Sequence, residues 1–251
     1  MRRAAVTRHR GRRRLRVLVA VLVVVAVGMS ALVAAHSPLL SARHVEITGA
    51  RHTSASEVLA VTGLWRRPPL LDVNTTTLQR RIDALPWVRS ARVWLGWPDA
   101  VHVALSERVP AAVVAGTGAE QGRWALVDGR GRVLGYVSSI LSMPWALPVL
   151  VVPSPPGKPG ASLPAGDGPA LAVVRAVAGQ LPLAVRSVTA TAEGELTLEL
   201  TGNVRANFGT TQLLLVKVAA LRSVLVGAPP SRPEVIDVSV PDEPSVAAAP
   251  S

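Results

Sequence analysis

Nineteen consecutive residues, Val17 to Ala35, carry no charged side chain, and the sixteen residues before them include eight arginines and no acid. A helix rises about 1.5 Å per residue, so this run would extend about 28 Å, close to the hydrocarbon thickness of a bilayer. In lipid the backbone must satisfy its own hydrogen bonds, which restricts a stretch of mostly Val, Ala and Leu, broken only by Gly28 and Ser30, to a helix. The pattern predicts a basic tail over 1–16 and a transmembrane helix over 17–35. Cytoplasmic flanks collect Lys and Arg, so Arg12, Arg13, Arg14 and Arg16 place the N-terminus inside and everything from His36 onward outside. The competing reading is a secretory signal cleaved near Val33-Ala34-Ala35; its apolar core would exceed the about 7 to 15 residues usual for signals, and it too exports the remainder.

The net charge of +11 at first suggests nucleic acid, but eight of the 27 Lys and Arg lie in the tail, which leaves 19 against 16 acids. The tail arginines therefore read as topology determinants and ligands of anionic lipid, with DNA binding as the lesser alternative, and no specific nucleic-acid partner is expected. Cysteine is absent. An exported chain without disulfides must be held by packing, and thiol nucleophiles, thiolate metal sites and redox pairs are excluded. The residues beyond the anchor suffice for two modest domains.

In the first of these, His44 to Ile47 alternates as a short strand and stops at Thr48-Gly49. Ser54 and Glu57 have capping-box spacing, and Gly63 closes the helix they open. Asn74 caps a second helix running to about Leu85, with Leu78, Ile82 and Leu85 on one face and Arg80, Arg81 and Asp83 on the solvated side. Val88 to Leu95 and Val101 to Glu107 then alternate around Gly96-Trp97-Pro98-Asp99 as a hairpin. Glu107 and Arg108 close it with opposite charges, pairing with neighbours such as Arg92.

In the second, Pro110 to Val114 is a strand and 116–122 a loop that lacks the spacing of a nucleotide motif. Leu126 to Gly135 forms two strands around a turn at Asp128-Gly129. A short strand at Leu147 to Val152 precedes a Pro- and Gly-rich surface loop over 153–164 and a helix over Ala170 to Leu181. Val185 to Ala192, Leu196 to Leu200 and Val204 to Phe208 read as a meander, with Glu195 and Glu199 on its wet face. A helix to about Val226 buries Leu214, Val218, Leu221 and Leu225; a solvated helix position is the plain reading of Lys217, whose role the sequence leaves open. A last strand, Glu234 to Val240, is expected at a sheet edge, and 241–251 is expected to be disordered.

The order strand, helix, helix, strand, strand over 41–110 resembles a polypeptide-transport-associated (POTRA) domain. Leu85-Pro86-Trp87-Val88, Ala91-Arg92-Val93, Trp97-Pro98, Val101 to Leu105, Glu107-Arg108 and Pro110-Ala111 are similar to the corresponding block of the FtsQ/DivIB bacterial cell-division proteins. The Val127-Asp128 turn, Gly209 with Lys217 and Leu221, and the Ile236-Asp237 strand extend the resemblance into the second domain. The fold expected is α+β: a single N-terminal transmembrane helix, a POTRA domain, and over 111–240 a mainly antiparallel beta domain with packed helices.

The resemblance implies a bitopic, type II membrane scaffold of the divisome, concentrated at the septum, which links FtsB-like, FtsL-like and other division proteins. It also implies that a partner strand adds to the terminal edge strand, here Val235, Ile236, Asp237, Val238, Ser239 and Val240. Ser239 and Val240 stand where a basic and an aromatic residue are common in the family, so backbone pairing alone carries over. No enzyme signature accompanies these features: neither Lys158 nor Lys217 has a serine three residues upstream, the five histidines lack zinc spacing, and no catalytic residue, cofactor or metal is expected. The alternative is a POTRA-containing translocation or assembly factor, which would show further POTRA repeats or amphipathic barrel strands.

Overall fold

The computed structural model describes the backbone of residues 6–35, 40–140, 147–228 and 234–248, and the side chains of the same residues except 6–15, 31–35 and 119. Helix α1 spans Val6–Ala35 and so takes in most of the basic tail. Among the described residues no helix is long and apolar enough to cross a membrane. The described side chains of α1 run only from residue 16 to 30, short of the about 20 apolar residues a span requires. Arg16 is exposed, whereas the side chains of Arg12, Arg13 and Arg14 lie outside the described residues.

Beyond α1 the fold is mixed α and β, divided into two compact units: Met1–Asp83 with Val88–Glu107, and Ala84–Trp87 with Arg108–Ser251. The first contains β1 (His44–Thr48), α2 (Ala55–Thr62), α3 (Thr75–Asp83), β2 (Val88–Gly96) and β3 (Ala100–Glu107). Local chemistry sets its helix ends. Ser54 Oγ accepts from the Glu57 N–H at 3.1 Å, Asn74 Oδ1 accepts from Thr77 N–H at 2.9 Å, and Gly63 takes a left-handed φ of 75° to end α2. The sheet order is β1-β3-β2, with β1 parallel and β2 antiparallel to β3. Val101 and Val103 of β3 are buried together with Val58, Leu78 and Ile82 of the helices.

Two expectations change here. Asp83 is not on a purely solvated face: its Oδ1 accepts from the Ala91 N–H at 2.6 Å, because α3 ends at Asp83 beside β2. Glu107 does not pair with Arg92, since the register sets it opposite Val88 and sets Arg92 opposite Ala104.

The second unit is a nine-stranded sheet in the order β12-β11-β10-β9-β8-β7-β4-β5-β6. In chain order its elements are β4 (Pro110–Ala115), β5 (Trp124–Asp128), β6 (Val133–Val137), β7 (Val149–Val151), α4 (Gly168–Val177), β8 (Val185–Ala190), β9 (Leu196–Leu200), β10 (Val204–Gly209), α5 (Leu214–Gly227), β11 (Glu234–Asp237) and β12 (Ser245–Ala248). Most neighbours are antiparallel, but β4 and β7, β7 and β8, and β10 and β11 are parallel. Parallel neighbours need a long crossover. Helices α4 and α5 supply two of these, and both contribute to one core with Leu198, Leu200, Phe208 and Ile236.

The 153–164 loop is held more firmly than its composition suggests. Gly160 N–H donates to Val133 O at 2.7 Å, and Tyr136 Oη donates to Gly157 O at 3.0 Å. Helix α4 ends at Val177, with that side chain buried, rather than running on to the expected Leu181.

Candidate partner-binding edge

The C-terminal side of the large sheet is built from β10, α5, β11 and β12. Strand β11 is not an edge. It pairs in parallel with β10, Val204 opposite Glu234 through Asn207 opposite Asp237, and antiparallel with β12, Glu234 opposite Ala248 through Asp237 opposite Ser245. Val238 N–H then donates to Asn207 O at 2.9 Å, one step past the end of β11. The expected edge residues are therefore distributed by depth. Ile236 and Val238 are buried, Val235 and Asp237 are half-buried, and Ser239 and Val240 are exposed in the turn that leads to β12.

The outermost strand is β12, and Ser245, Val246, Ala247 and Ala248 are all exposed. The 241–251 stretch, expected to be disordered, thus supplies a strand over four of its residues. A strand of this kind leaves one row of backbone N–H and C=O groups without neighbours in the sheet. Its sequence has a weak signal, Pro241-Asp242-Glu243-Pro244 as a turn between two short β-capable stretches. Two of the four strand residues are alanines, which are depleted in strands and mask that signal.

What holds this corner together is a buried lysine. Lys217, whose role the sequence left open, is 4% exposed, and its Nζ donates to Phe208 O at 2.7 Å and to Thr210 O at 3.0 Å. Its spacing could have shown this: residues 214, 217, 218, 221 and 225 form one helical stripe, and Lys217 stands inside it. The chain reaches the helix through Gly209, at a φ of +59°, where an added Cβ would lie 3.3 Å from Ser239 Cβ. Leu213 follows in left-handed geometry at φ 54°, a costly conformation for a residue with a branched side chain.

Asp237 completes the corner. Its Oδ1 accepts from Ser239 Oγ at 2.6 Å and from Ser239 N–H at 2.8 Å. The Ser239 hydroxyl bond is the main reason its carboxyl sits below the usual range; burial opposes the shift, and Asn207 and the Lys217 charge add to it. These groups fix where the chain leaves β11. They form no acid–base or nucleophilic constellation, and among the described residues no group of His, Cys, Asp or Glu could hold a metal ion.

A second built feature lies at the end of β3. Glu107 accepts from the backbone N–H groups of Thr53, Arg51 and His52 at 2.8–3.0 Å, and the His52 ring adds a fourth contact. Partial burial works to raise its pKa, but these bonds together hold it at about 2. In the other unit Arg108 Nη1 donates to Asp128 Oδ2 at 2.8 Å, while Asp128 Oδ1 accepts from the Arg130 and Arg132 N–H groups. The adjacent residues Glu107 and Arg108 are thus both structural ties, each in its own unit.

Comparison with known proteins follows the same division. Residues 40–108 match the family described as POTRA domain, FtsQ-type, and residues 118–239 match the family described as cell division protein FtsQ/DivIB, C-terminal. A relative named cell division protein FtsQ from Mycobacteroides abscessus is 30% identical over 91% of this chain and 68% of its own length. One of the same name from Streptomyces griseus is 30% identical over 85% of this chain and all of its own length. Others are matched over less of their length, among them the Corynebacterium glutamicum protein, 37% identical over 41% of itself.

Proposed function

The chain belongs to the FtsQ/DivIB family of cell division proteins, and we propose that it is a non-catalytic, bitopic membrane scaffold of the bacterial divisome. The observation that carries this reading is the match to both family domains in order, 40–108 and then 118–239. The membrane anchor is α1. Its described apolar side chains from Val17 to Met29 include ten large ones that are 52–70% exposed, a surface that requires lipid rather than water as its neighbour. The arginines that precede its apolar stretch set the N-terminus in the cytoplasm and the two compact units outside, in a type II arrangement at the septum.

Partner capture is proposed at the sheet edge, with FtsB-like and FtsL-like proteins as partners. The outer side of β12 takes an added strand by backbone pairing; β11, through Val235, Ile236 and Asp237, supports β12 from behind, and Val238, Ser239 and Val240 carry the chain into the turn that leads to it. Affinity then comes from main-chain hydrogen bonds, so the departures at Ser239 and Val240 do not abolish the mode of binding.

Two experiments test the reading. Depletion of the protein in its own cell should give filaments without septa; normal division with an export defect would instead favour a translocation factor. In a pull-down with FtsB-like and FtsL-like proteins, Val246→Pro and Ala247→Pro are compared, because adjacent residues direct their N–H groups to opposite sides of a strand. At least one variant should lose the partners, and full capture by both would overturn the edge mechanism.

A further inference from the structure

The chain enters the first unit between two segments that each carry an exposed tryptophan. Helix α1 ends at Ala35, and six residues later Ser41 makes a bridge with Pro69 while the Ala42 N–H donates to Pro68 O at 2.9 Å. The next two N–H groups, of Arg43 and His44, both donate to Asp99 O, at 2.9 and 3.1 Å. Residues 41–44 are thus clasped by the 64–72 segment and by the turn between β2 and β3. Trp65, 61% exposed, lies in the first of these, and Trp97, 56% exposed, in the second. Strand β1 is parallel to β3, with His44 opposite Ala100, so the entry point and the β2–β3 turn share one end of the sheet. A strand rising about 3.3 Å per residue puts Glu107, at the other end of β3, roughly 23 Å farther on.

The 64–72 segment is held from inside. Leu64 and Leu70 are buried, and between them Arg67 takes a left-handed φ of 53°, a costly conformation outside glycine, with its N–H donating to Leu64 O at 2.9 Å. Trp65, Arg66, Arg67 and Leu71 are left exposed, and the Arg66 guanidinium lies 4.8 Å from the Trp65 ring centroid. Arg43 is exposed as well, and among the described residues no carboxylate forms an ion pair with Arg43, Arg66 or Arg67. The acids of the same segments are Asp72 and Asp99, and Asp99 is engaged by His44 Nδ1 at 3.0 Å. Tryptophan beside arginine is the chemistry of a membrane–water boundary: the indole settles at headgroup level, and the guanidinium fork matches phosphate oxygens.

We infer that this end of the first unit rests on the outer face of the membrane and binds anionic phospholipid. Trp65, Trp97 and Leu71 enter the headgroup layer, and Arg43, Arg66 and Arg67 pair with lipid phosphates. The inference rests on the proposed reading of α1 as the membrane anchor. Six extended residues span at most about 22 Å, so that anchor keeps the entry point near the bilayer and lets even a weak affinity for lipid be expressed. Strand addition is not open at this place, because the N–H groups of residues 42–44 are already donated within the unit. The contact is independent of partner capture at β12 and would fix the height at which the first unit stands.

The test uses the full chain, isotopically labelled, in nanodiscs of phosphatidylcholine with and without phosphatidylglycerol. A lipid bearing a gadolinium chelate on its headgroup should broaden the amides of Trp65, Arg67, Leu71 and Trp97 more than that of Glu107, and more strongly in the anionic discs. Arg66→Gln and Arg67→Asn remove charge from exposed positions, Asn being a residue that tolerates left-handed geometry. Each should lower the ratio of surface-bound to free unit about fivefold, and Trp65→Ser should lower it further. Broadening that ignores both lipid charge and these substitutions would show a tether without binding and overturn the proposal, as would equal broadening at Trp97 and Glu107. Shifts at the two tryptophans that follow protein concentration at fixed lipid would assign the surface to a second copy and overturn it too. A spin label on the lipid acyl chain reads the anchor separately. Broadened amides over residues 17–29 with Trp65 and Trp97 spared by the headgroup probe would sink the surface contact alone, whereas unbroadened amides there would sink the anchor with it.

Discussion

Lys217 Nζ lies 2.7 Å from the carbonyl oxygen of Phe208, joining the interior of α5 to the end of β10. The ammonium also reaches Thr210 O, so one charged group satisfies two carbonyls where the strand gives way to the helix. Lys217→Met keeps the stem's packing and removes both donors. Leaving these acceptors unpaired costs about 1–3 kcal/mol, and the expected loss is at the upper end of that range because the donor is charged. Urea denaturation of the second unit checks it, and an unchanged midpoint would contradict the role given to Lys217.

Glu107 gives the first unit an acid-sensitive tie. Its folded pKa of about 2 lies below the ordinary 4.5, so its contribution is fully present above about pH 4.5 and is lost as pH falls toward 2. Glu107→Gln should therefore destabilise the chain at pH 7 and narrow its gap to the parent progressively below pH 4.5, as followed by thermal melts across that range.

Asp167 has the opposite sign. Both its carboxyl oxygens are buried without a well-formed hydrogen bond, and burial raises its pKa, with Ser154 offsetting only part of the effect. The neutral form is favoured in the folded chain, so its contribution is present below the unfolded value near 3.8 and is lost as pH rises through the raised folded value. Asp167→Asn should match the parent at pH 3 and exceed its melting temperature at pH 7. A variant less stable than the parent at pH 7 would refute this.

The Arg108–Asp128 pair is nearly buried, with side chains 15% and 6% exposed. Arg108→Ala leaves the Asp128 charge without its guanidinium partner. Removing one member of a buried pair costs about 3–5 kcal/mol, and the two backbone N–H groups that Asp128 retains place the expected loss near the lower bound. Adding Asp128→Asn should recover part of it, measurable as a double-mutant cycle in denaturant.

Local signals in the chain were legible where the physics was local. Ser54, Glu57 and Gly63 bound α2, Asn74 caps α3, and Leu196 to Leu200 alternates as β9 with the limits read from sequence. Signals failed where a distant neighbour decided the outcome. Asp83 looked solvated until Ala91 claimed it. Glu107 looked like half of a surface ion pair, but the loop at residues 51–53 wraps its carboxylate. The role of Lys217 stayed open because its charge and its place in an apolar stripe pointed opposite ways, and a buried ammonium becomes plausible only when carbonyls are present to receive it.

The sequence by itself determined the apolar run with its arginine flank, the βααββ order of the first unit, and the α+β class of the second, because periodicity, capping and turn chemistry act over a few residues. It could not determine which strand ends the large sheet. That depends on the α5 crossover, which brings β11 parallel to β10, and on the turn after Ser239, which carries Ser245–Ala248 back along the outside of β11. Both steps pair segments distant or weakly patterned in sequence. Whether a strand is edge or interior is therefore a property of the assembled sheet, and here only the tertiary structure moved the open row of backbone groups from β11 to β12.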